Sequence, residues 1–236
     1  MIRIPEFTRS PYPLFILIGV VAGLGISIFL MKRKGVERFS FLLSSFLVFA
    51  SIFILNLFWN LPKIIRVESW GFDGTLSAVG LVTGAFISAL IFREKGPEIM
   101  ASFVTGAPLM YSISKIGCFL SGCCRGFSYG GPLKVTYDKW GQGSFFPTQL
   151  LDSICFFTVF VLAFILTSKL KDQIKVSFAV MLISILSRFG VDFFRLSHTD
   201  RVISMTQLLM ISAFIIAIIS FIIVTNINGK GVRVNE

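Results

Sequence analysis

The sequence predicts an all-α integral membrane protein of seven transmembrane helices, with its N-terminus outside and its C-terminus in the cytoplasm. Three observations lead there. The 236 residues are 55% hydrophobic and only 14% charged, against about 25% charged in soluble domains. The mean hydropathy is +0.84. Apolar runs recur along the chain at about the 20-residue length that crosses a bilayer as a helix. A soluble globular protein is thereby excluded, and so is disorder, which needs low hydrophobicity and high charge. Of the aromatics, 27 are Phe, 4 Tyr and 3 Trp; Phe has no polar atom to satisfy and suits a surface facing lipid. The whole chain, residues 1–236, reads as one polytopic membrane domain.

The runs fall in order at residues 14–31, 41–59, 76–92, 99–120, 150–167, 176–194 and 203–224. The first is too long for a secretory signal peptide and has no small-residue cleavage site after it, so it reads as a span. No internal repeat or low-complexity tract interrupts the series. Eleven basic residues sit in short segments on one side: Lys32, Arg33, Lys34, Arg38, Arg93, Lys95, Lys169, Lys171, Lys175, Lys230 and Arg233. Nine are spread over longer stretches on the other: Arg3, Arg9, Lys63, Arg66, Arg125, Lys134, Lys139, Arg195 and Arg201. Basic residues mark cytoplasmic loops, which sets the orientation. Trp59, Trp70 and Trp140 then all lie on the outer side, as interface anchors do. The longest loop, residues 121–146, is also outside; it is rich in glycine and aromatics, which suits a loop facing a substrate.

The formal net charge of +10 does not indicate nucleic acid, because most of the basic residues flank apolar runs, where orientation and anionic headgroups account for them. The four cysteines are Cys118, Cys123, Cys124 and Cys155. They contain no C-x-x-C and match neither a disulfide framework nor a zinc-ligand spacing.

Charges inside apolar runs are expensive and point to function. The sixth run holds Arg188, Asp192 and Arg195 at helical spacing, so all three share one helix face. Two cations about one carboxylate leave a positive site, and guanidinium groups bind phosphate bidentately; the structural alternative is an ion pair between helices. In the fourth run, Lys115 shares a face with Cys118 and Gly122 and would supply a second phosphate contact. Gly117, Gly122 and Gly126 permit close backbone approach by a helix or a ligand. Cys118 and Cys123 read either as small apolar residues or as thiols activated beside Lys115. Asp73 opens the third run as a cap or turn residue, and Gly80 and Gly84 form a packing face. Pro147 suits the first turn of the fifth helix; Gln149 would hydrogen-bond a headgroup, and Asp152 would pair with a basic group. Gln207 enters the seventh run, and His198 reads as a solvated loop residue.

The order of these pieces resembles the phosphatidylglycerol–prolipoprotein diacylglyceryl transferase family. Asp73-Gly74 and Gly80 to Gly84 resemble the family's Asp-Gly-Gly…His-Gly-Gly-Leu-x-Gly segment. Lys115 to Gly126 resembles its Gly-Arg-x-Gly-Asn-Phe…Gly signature, in a shorter, cysteine-containing form. Pro147 to Leu150, Arg188 to Arg195, and Ile203 to Gln207 match three further motifs in the same order. The resemblance implies seven helices with the N-terminus outside, residence in the bacterial cytoplasmic membrane, and no cofactor or metal. It implies transfer of the diacylglyceryl group of phosphatidylglycerol, or a similar anionic phospholipid, to the lipobox cysteine of a secreted prolipoprotein or another membrane-anchored acceptor. Arg188, Asp192 and Lys115 carry over as catalytic residues, and Arg195, Gln149, Gly117, Gly122 and Asp73 as substrate-binding ones. The departures are Val79 at the family's histidine, Lys115 at its arginine, Cys118 at its asparagine, Cys123 at its acidic residue and Ser184 at its tyrosine. Asp192, Cys118 or Cys123 is then left to take the acceptor's proton. Two other readings stand beside the enzyme: a lipid-binding or assembly paralogue that has lost the chemistry, and a redox or metal site at the cysteines, which would need a fourth ligand.

Overall fold

The computed structural model describes residues 1–66, 73–141 and 143–196, and beyond them 203, 204, 206–212, 214, 215 and 218. Among the described residues six helices are long and apolar enough to cross a membrane. They are α1 (Tyr12–Arg33), α2 (Arg38–Ile65), α3 (Gly74–Ile91), α4 (Gly96–Ser121), α5 (Thr148–Lys169) and α6 (Gln173–Asp192). These are the first six expected runs, most of them extended by a turn or less at either end. Residues 206–212, 214, 215 and 218 are helical, while the end of the expected seventh run, from residue 219, together with Trp70 and His198, lies outside the described residues. Two three-residue strands, β1 (Ile2–Ile4) and β2 (Val135–Tyr137), pair in parallel.

The bundle is organised around α4, which packs against α1, α3, α5 and α6. Close approach is set by small residues, as in membrane helix pairs generally. A Cβ on Gly106 would lie 2.5 Å from Ser27 Oγ and 2.6 Å from the Gly23 carbonyl oxygen. On the other side α2 and α3 meet at Gly84, where a Cβ would lie 2.5 Å from Val48 Cα. Polar side chains in the interior pair across helices: Ser27 Oγ donates to the Ser102 carbonyl (3.1 Å), Ser112 Oγ to the Ser153 carbonyl (2.8 Å), and the hydroxyls of Thr105 and Thr167 lie 2.7 Å apart. In lipid such groups have no water to turn to, so internal pairing is obligatory. The outward faces carry Phe39, Phe46, Phe49, Phe53, Phe58, Phe86 and Phe157, all exposed, in line with the phenylalanine-rich composition.

The two ends of the bundle differ. At one end, Lys95 Nζ donates to the Lys34 carbonyl (3.1 Å) and ties the α3–α4 turn to the α1–α2 turn. At the other, Ile4, Val135 and Tyr137 cluster with Phe119 at the end of α4, and so fasten the N-terminal strand and the long loop over that helix. The charged residues singled out above gather at this second end.

The α1–α4 contact tolerates no side chain at position 106. Gly106→Leu is expected to destabilise the protein by about 1–3 kcal/mol, the usual cost of overpacking. It would be read as a lower thermal midpoint in detergent; an unchanged midpoint would show that α1 and α4 have room to separate.

Candidate functional site

Three elements deliver the charged side chains. Lys115 comes from the last two turns of α4, Asp152 from the second turn of α5, and Arg188 and Asp192 from the end of α6. The Asp152 carboxylate lies 2.9 Å from Arg195 Nη2, 3.5 Å from Lys115 Nζ and 3.9 Å from Arg188 Nη1. The Asp192 carboxylate lies 3.4 Å from Arg188 Nη2 and 3.6 Å from Arg195 Nε. Lys115 is 6% exposed, Arg188 8%, and both carboxylates 1%. Lys115 Nζ also stands 4.7 Å from the ring centre of Tyr111, one turn back on α4, which further stabilises a desolvated cation.

Arg195 does not continue the helix. The sixth run was expected to stay helical to residue 194, but α6 stops at Asp192. The Phe194 carbonyl accepts from Thr148 Oγ1 (2.7 Å) and the Phe127 amide (3.2 Å), and Arg195 pairs across a β-bridge with Gly126. Tertiary partners take the backbone groups that another helical turn would have used. Arg195 still reaches both carboxylates, now from the loop side rather than from the helix face. Gly126 is required at this crossing, since a Cβ there would lie 2.3 Å from Thr148 Oγ1 and 2.4 Å from the Phe146 carbonyl.

The loop after α4 closes over the cluster. Gly122 caps α4 in the left-handed conformation at φ 66°, and the Cys123 amide returns to the Cys118 carbonyl at 3.2 Å, a Schellman ending. Cys124 is also left-handed, at φ 55°. The consecutive left-handed turns bring the sulfurs of Cys118, Cys123 and Cys124 within 4.8 Å of one another. Buried Gln149 fixes this segment by donating to the Cys123 carbonyl (2.7 Å) and to the Tyr137 hydroxyl (3.2 Å). Burial pushes the Tyr137 phenol up to about 12. Trp140 Nε1 donates to the Gly122 carbonyl (3.1 Å), and the Arg125 guanidinium lies 4.3 Å from the Trp140 ring centre and 4.7 Å from that of Phe145. An open cleft of about 340 Å³, lined by Cys124, Arg125, Arg195 and Leu196, gives onto the cluster.

Of the residues predicted from sequence, Lys115, Arg188, Asp192 and Arg195 meet around Asp152, with Gln149, Cys118 and Cys123 alongside. The other three do structural work. Asp73 caps α3 by accepting from the amides of Thr75 (2.8 Å) and Leu76 (3.0 Å). Gly117 admits Phe15 of α1, whose Cβ would be 2.6 Å from an added Cβ, and Gly122 caps α4. Val79 lies on the outward face of α3, 45% exposed. Cys124 entered the sequence reading only with the other cysteines, as a redox or metal site. One participant was missed, Ser204, which forms a capping box with Gln207, whose Oε1 accepts from the Ser204 amide (3.0 Å) while the Gln207 amide donates to Ser204 Oγ (3.0 Å). An S-x-x-Q pattern announces that arrangement. Ser204 Oγ in turn donates to Asp192.

Two buried cations and the half-buried Arg195 face two buried carboxylates, which leaves one positive charge in excess. Removing one member of a buried ion network costs about 3–5 kcal/mol, because the others stay uncompensated. Asp152→Asn is expected to destabilise by that amount, seen as a lower thermal midpoint and a poorer yield of folded protein. A melt equal to that of the native protein would show that Asp152 does not neutralise the cluster.

The prolipoprotein diacylglyceryl transferase model matches residues 1–223. The chain is also 29% identical, over 154 residues, to phosphatidylglycerol–prolipoprotein diacylglyceryl transferase 2 of Clostridium perfringens (strain 13 / Type A). That alignment covers 64% of this chain and 59% of the relative, so the chain spans less than two thirds of the relative's length. With a family match over nearly all of its residues, the chain belongs to the prolipoprotein diacylglyceryl transferase family.

Proposed function

We propose that this protein transfers the diacylglyceryl group of phosphatidylglycerol to the lipobox cysteine thiol of a secreted prolipoprotein. The bacterial cytoplasmic membrane is its proposed location, with the N-terminus and the loop over the charge cluster on the outer side. The observation that carries the reading is the positive excess around Asp152. In this reaction the acceptor sulfur bonds to the glyceryl carbon, and that carbon's bond to the phosphate oxygen breaks. The phosphodiester, with one negative charge, leaves as glycerol phosphate with two. Catalysis therefore needs fixed donors where the second charge grows. Arg188 Nη1 and Arg195 Nε are buried and lack a hydrogen-bond acceptor among the described residues. Both therefore have a donor to give to phosphate oxygen. Lys115 adds charge without a guanidinium's fork. Asp152 and Asp192 hold the three cations in place and keep them soluble in an apolar bundle.

A second reading, a lipid-binding paralogue without transferase chemistry, draws on α3 and α6. Val79 offers no base. Ser184, where the family resemblance implies tyrosine, donates to its own helix at the Val180 carbonyl (2.7 Å) and not to the cluster.

The test is a transfer assay with purified protein, phosphatidylglycerol and a lipobox peptide, following peptide mass and glycerol phosphate together. The peptide is expected to gain a diacylglyceryl group as glycerol phosphate appears. Arg188→Ala is expected to slow transfer about 100- to 1,000-fold, the usual loss for one donor to developing charge, with Arg188→Lys in between. Release of glycerol phosphate with unmodified peptide would sink the thiol acceptor, and folded protein giving neither product would favour the lipid-binding reading.

A further inference from the structure

The three thiols beside the charge cluster have a geometry of their own. Cys118, in the last turn of α4, is buried, Cys123 is half-buried and Cys124 is exposed. Their sulfurs lie within 4.8 Å of one another. Zinc–thiolate bonds of about 2.3 Å at tetrahedral angles set sulfur–sulfur distances of roughly 3.8 Å, so each edge of the triangle needs to close by about 1 Å or less. The scaffold already holds them near that arrangement. The Schellman ending fixes Cys123 against Cys118, and Gln149 clamps the Cys123 carbonyl at 2.7 Å. Cys124 keeps a left-handed backbone at φ 55°, a conformation disfavoured for any residue with a Cβ. A loop that only had to pass over α4 would not need that residue to be cysteine.

The surroundings suit anionic sulfur. Three thiolates about a divalent cation carry one net negative charge. Cys124 lines the cleft with two cations, Arg125 and Arg195, and among the described residues no carboxylate lines it. Three protein ligands with one position left open is the pattern of catalytic zinc sites, whereas structural sites are closed by four. The open position would lie on the side of Cys124, since Cys118 closes the other side in the bundle.

We propose that Cys118, Cys123 and Cys124 form a thiolate site for a soft divalent metal of the zinc class, whose fourth position takes the acceptor thiol. The role of that fourth ligand rests on the transferase reading above. A thiol on zinc is deprotonated outright, so its proton passes to water as it binds. The sulfur lone pair then attacks the glyceryl carbon, the carbon–oxygen bond breaks toward the phosphate, and the thioether formed leaves the metal as a weaker ligand. The metal does not change oxidation state. This arrangement supplies a thiolate where, among the described residues, no histidine stands at the cluster.

The test reads metal first and activity second. Intact protein, purified in detergent under reducing conditions from zinc-supplemented cells, is expected to hold about one zinc per chain. Cys124→Ser, at an exposed position that leaves folding intact, is expected to weaken zinc binding more than about tenfold. With cobalt in place of zinc, the sulfur-to-metal absorption is expected to grow on adding a lipobox peptide, and not on adding the same peptide with serine for its cysteine. Folded native protein that retains neither zinc nor cobalt overturns the proposal, as does retention that Cys124→Ser leaves unchanged. A cobalt spectrum indifferent to the peptide thiol overturns the open position. Metal bound and responsive to thiol, with no diacylglyceryl transfer, upholds the metal site and sinks the transferase reading instead.

Discussion

Asp152 is the constraint on which the charged end of this bundle depends. An isolated charge in a medium of low dielectric costs several kcal/mol even after relaxation. Three cations converge there, and two of the three, Lys115 and Arg188, are more than nine-tenths buried. Asp152 touches all three, while Asp192 touches only the two arginines. The start of α5 must therefore stand where the ends of α4 and α6 meet. Thr148 and Gln149, one turn earlier, then fall within reach of the Phe194 and Cys123 carbonyls. One carboxylate thus sets the position of α5, and α5 in turn holds the two loops that shape the cleft.

The same logic explains why α4 is the least apolar of the six helices yet the most central. A helix shielded from lipid on all sides need not be lipid-soluble. It can spend positions on Gly106 and Gly117 for close approach, on Ser102, Thr105 and Ser112 for interhelical hydrogen bonds, and on Lys115 for charge. The helices at the rim, α2 above all, carry the phenylalanines.

How much of this was legible follows from what the pattern encodes. Apolar run length is a property of contiguous sequence, so the first six spans and their order could be read directly. Charges inside those runs were conspicuous for the same reason, and four of the five cluster members were singled out by their cost in lipid. Asp152 was read as a partner for a basic group, but its role as the hub was not legible, because that depends on three elements distant in sequence. The assumption that Arg195 lay on the helix failed because tertiary bonds at Phe194 and Gly126 outcompete one more helical turn. The cysteines were read as a redox or metal site short of a fourth ligand, but their triangle was not legible, for a different reason. Its spacing matches no zinc motif, and the sulfurs meet only because positions 122 and 124 both adopt positive φ, which a residue like cysteine does not advertise. The glycines were read as open to close approach by a helix or a ligand; Gly117 makes a helix contact and Gly122 a cap, uses that sequence alone does not separate from binding.

The charge count also bears on how a transferase of this kind would turn over. A bound phosphodiester would cancel the single positive excess around Asp152 and make the ground-state complex nearly neutral. Loss of the diacylglyceryl group adds a second negative charge, so the product overshoots neutrality in a site where both carboxylates are already fixed. The donors that meet this growing charge best are those with geometry as well as charge. Lys115 is a point charge, held between Asp152 and the Tyr111 ring. The directional part of the work then rests on the two guanidinium groups, each of which keeps a buried nitrogen free of hydrogen-bond acceptors among the described residues. Arg195 lines the open cleft, so in the proposed reaction the excess negative charge of the product would arise beside that cleft. Stabilisation of the leaving group and its release would thus depend on the same residue, and leaving the helix at Asp192 is what puts Arg195 in that position.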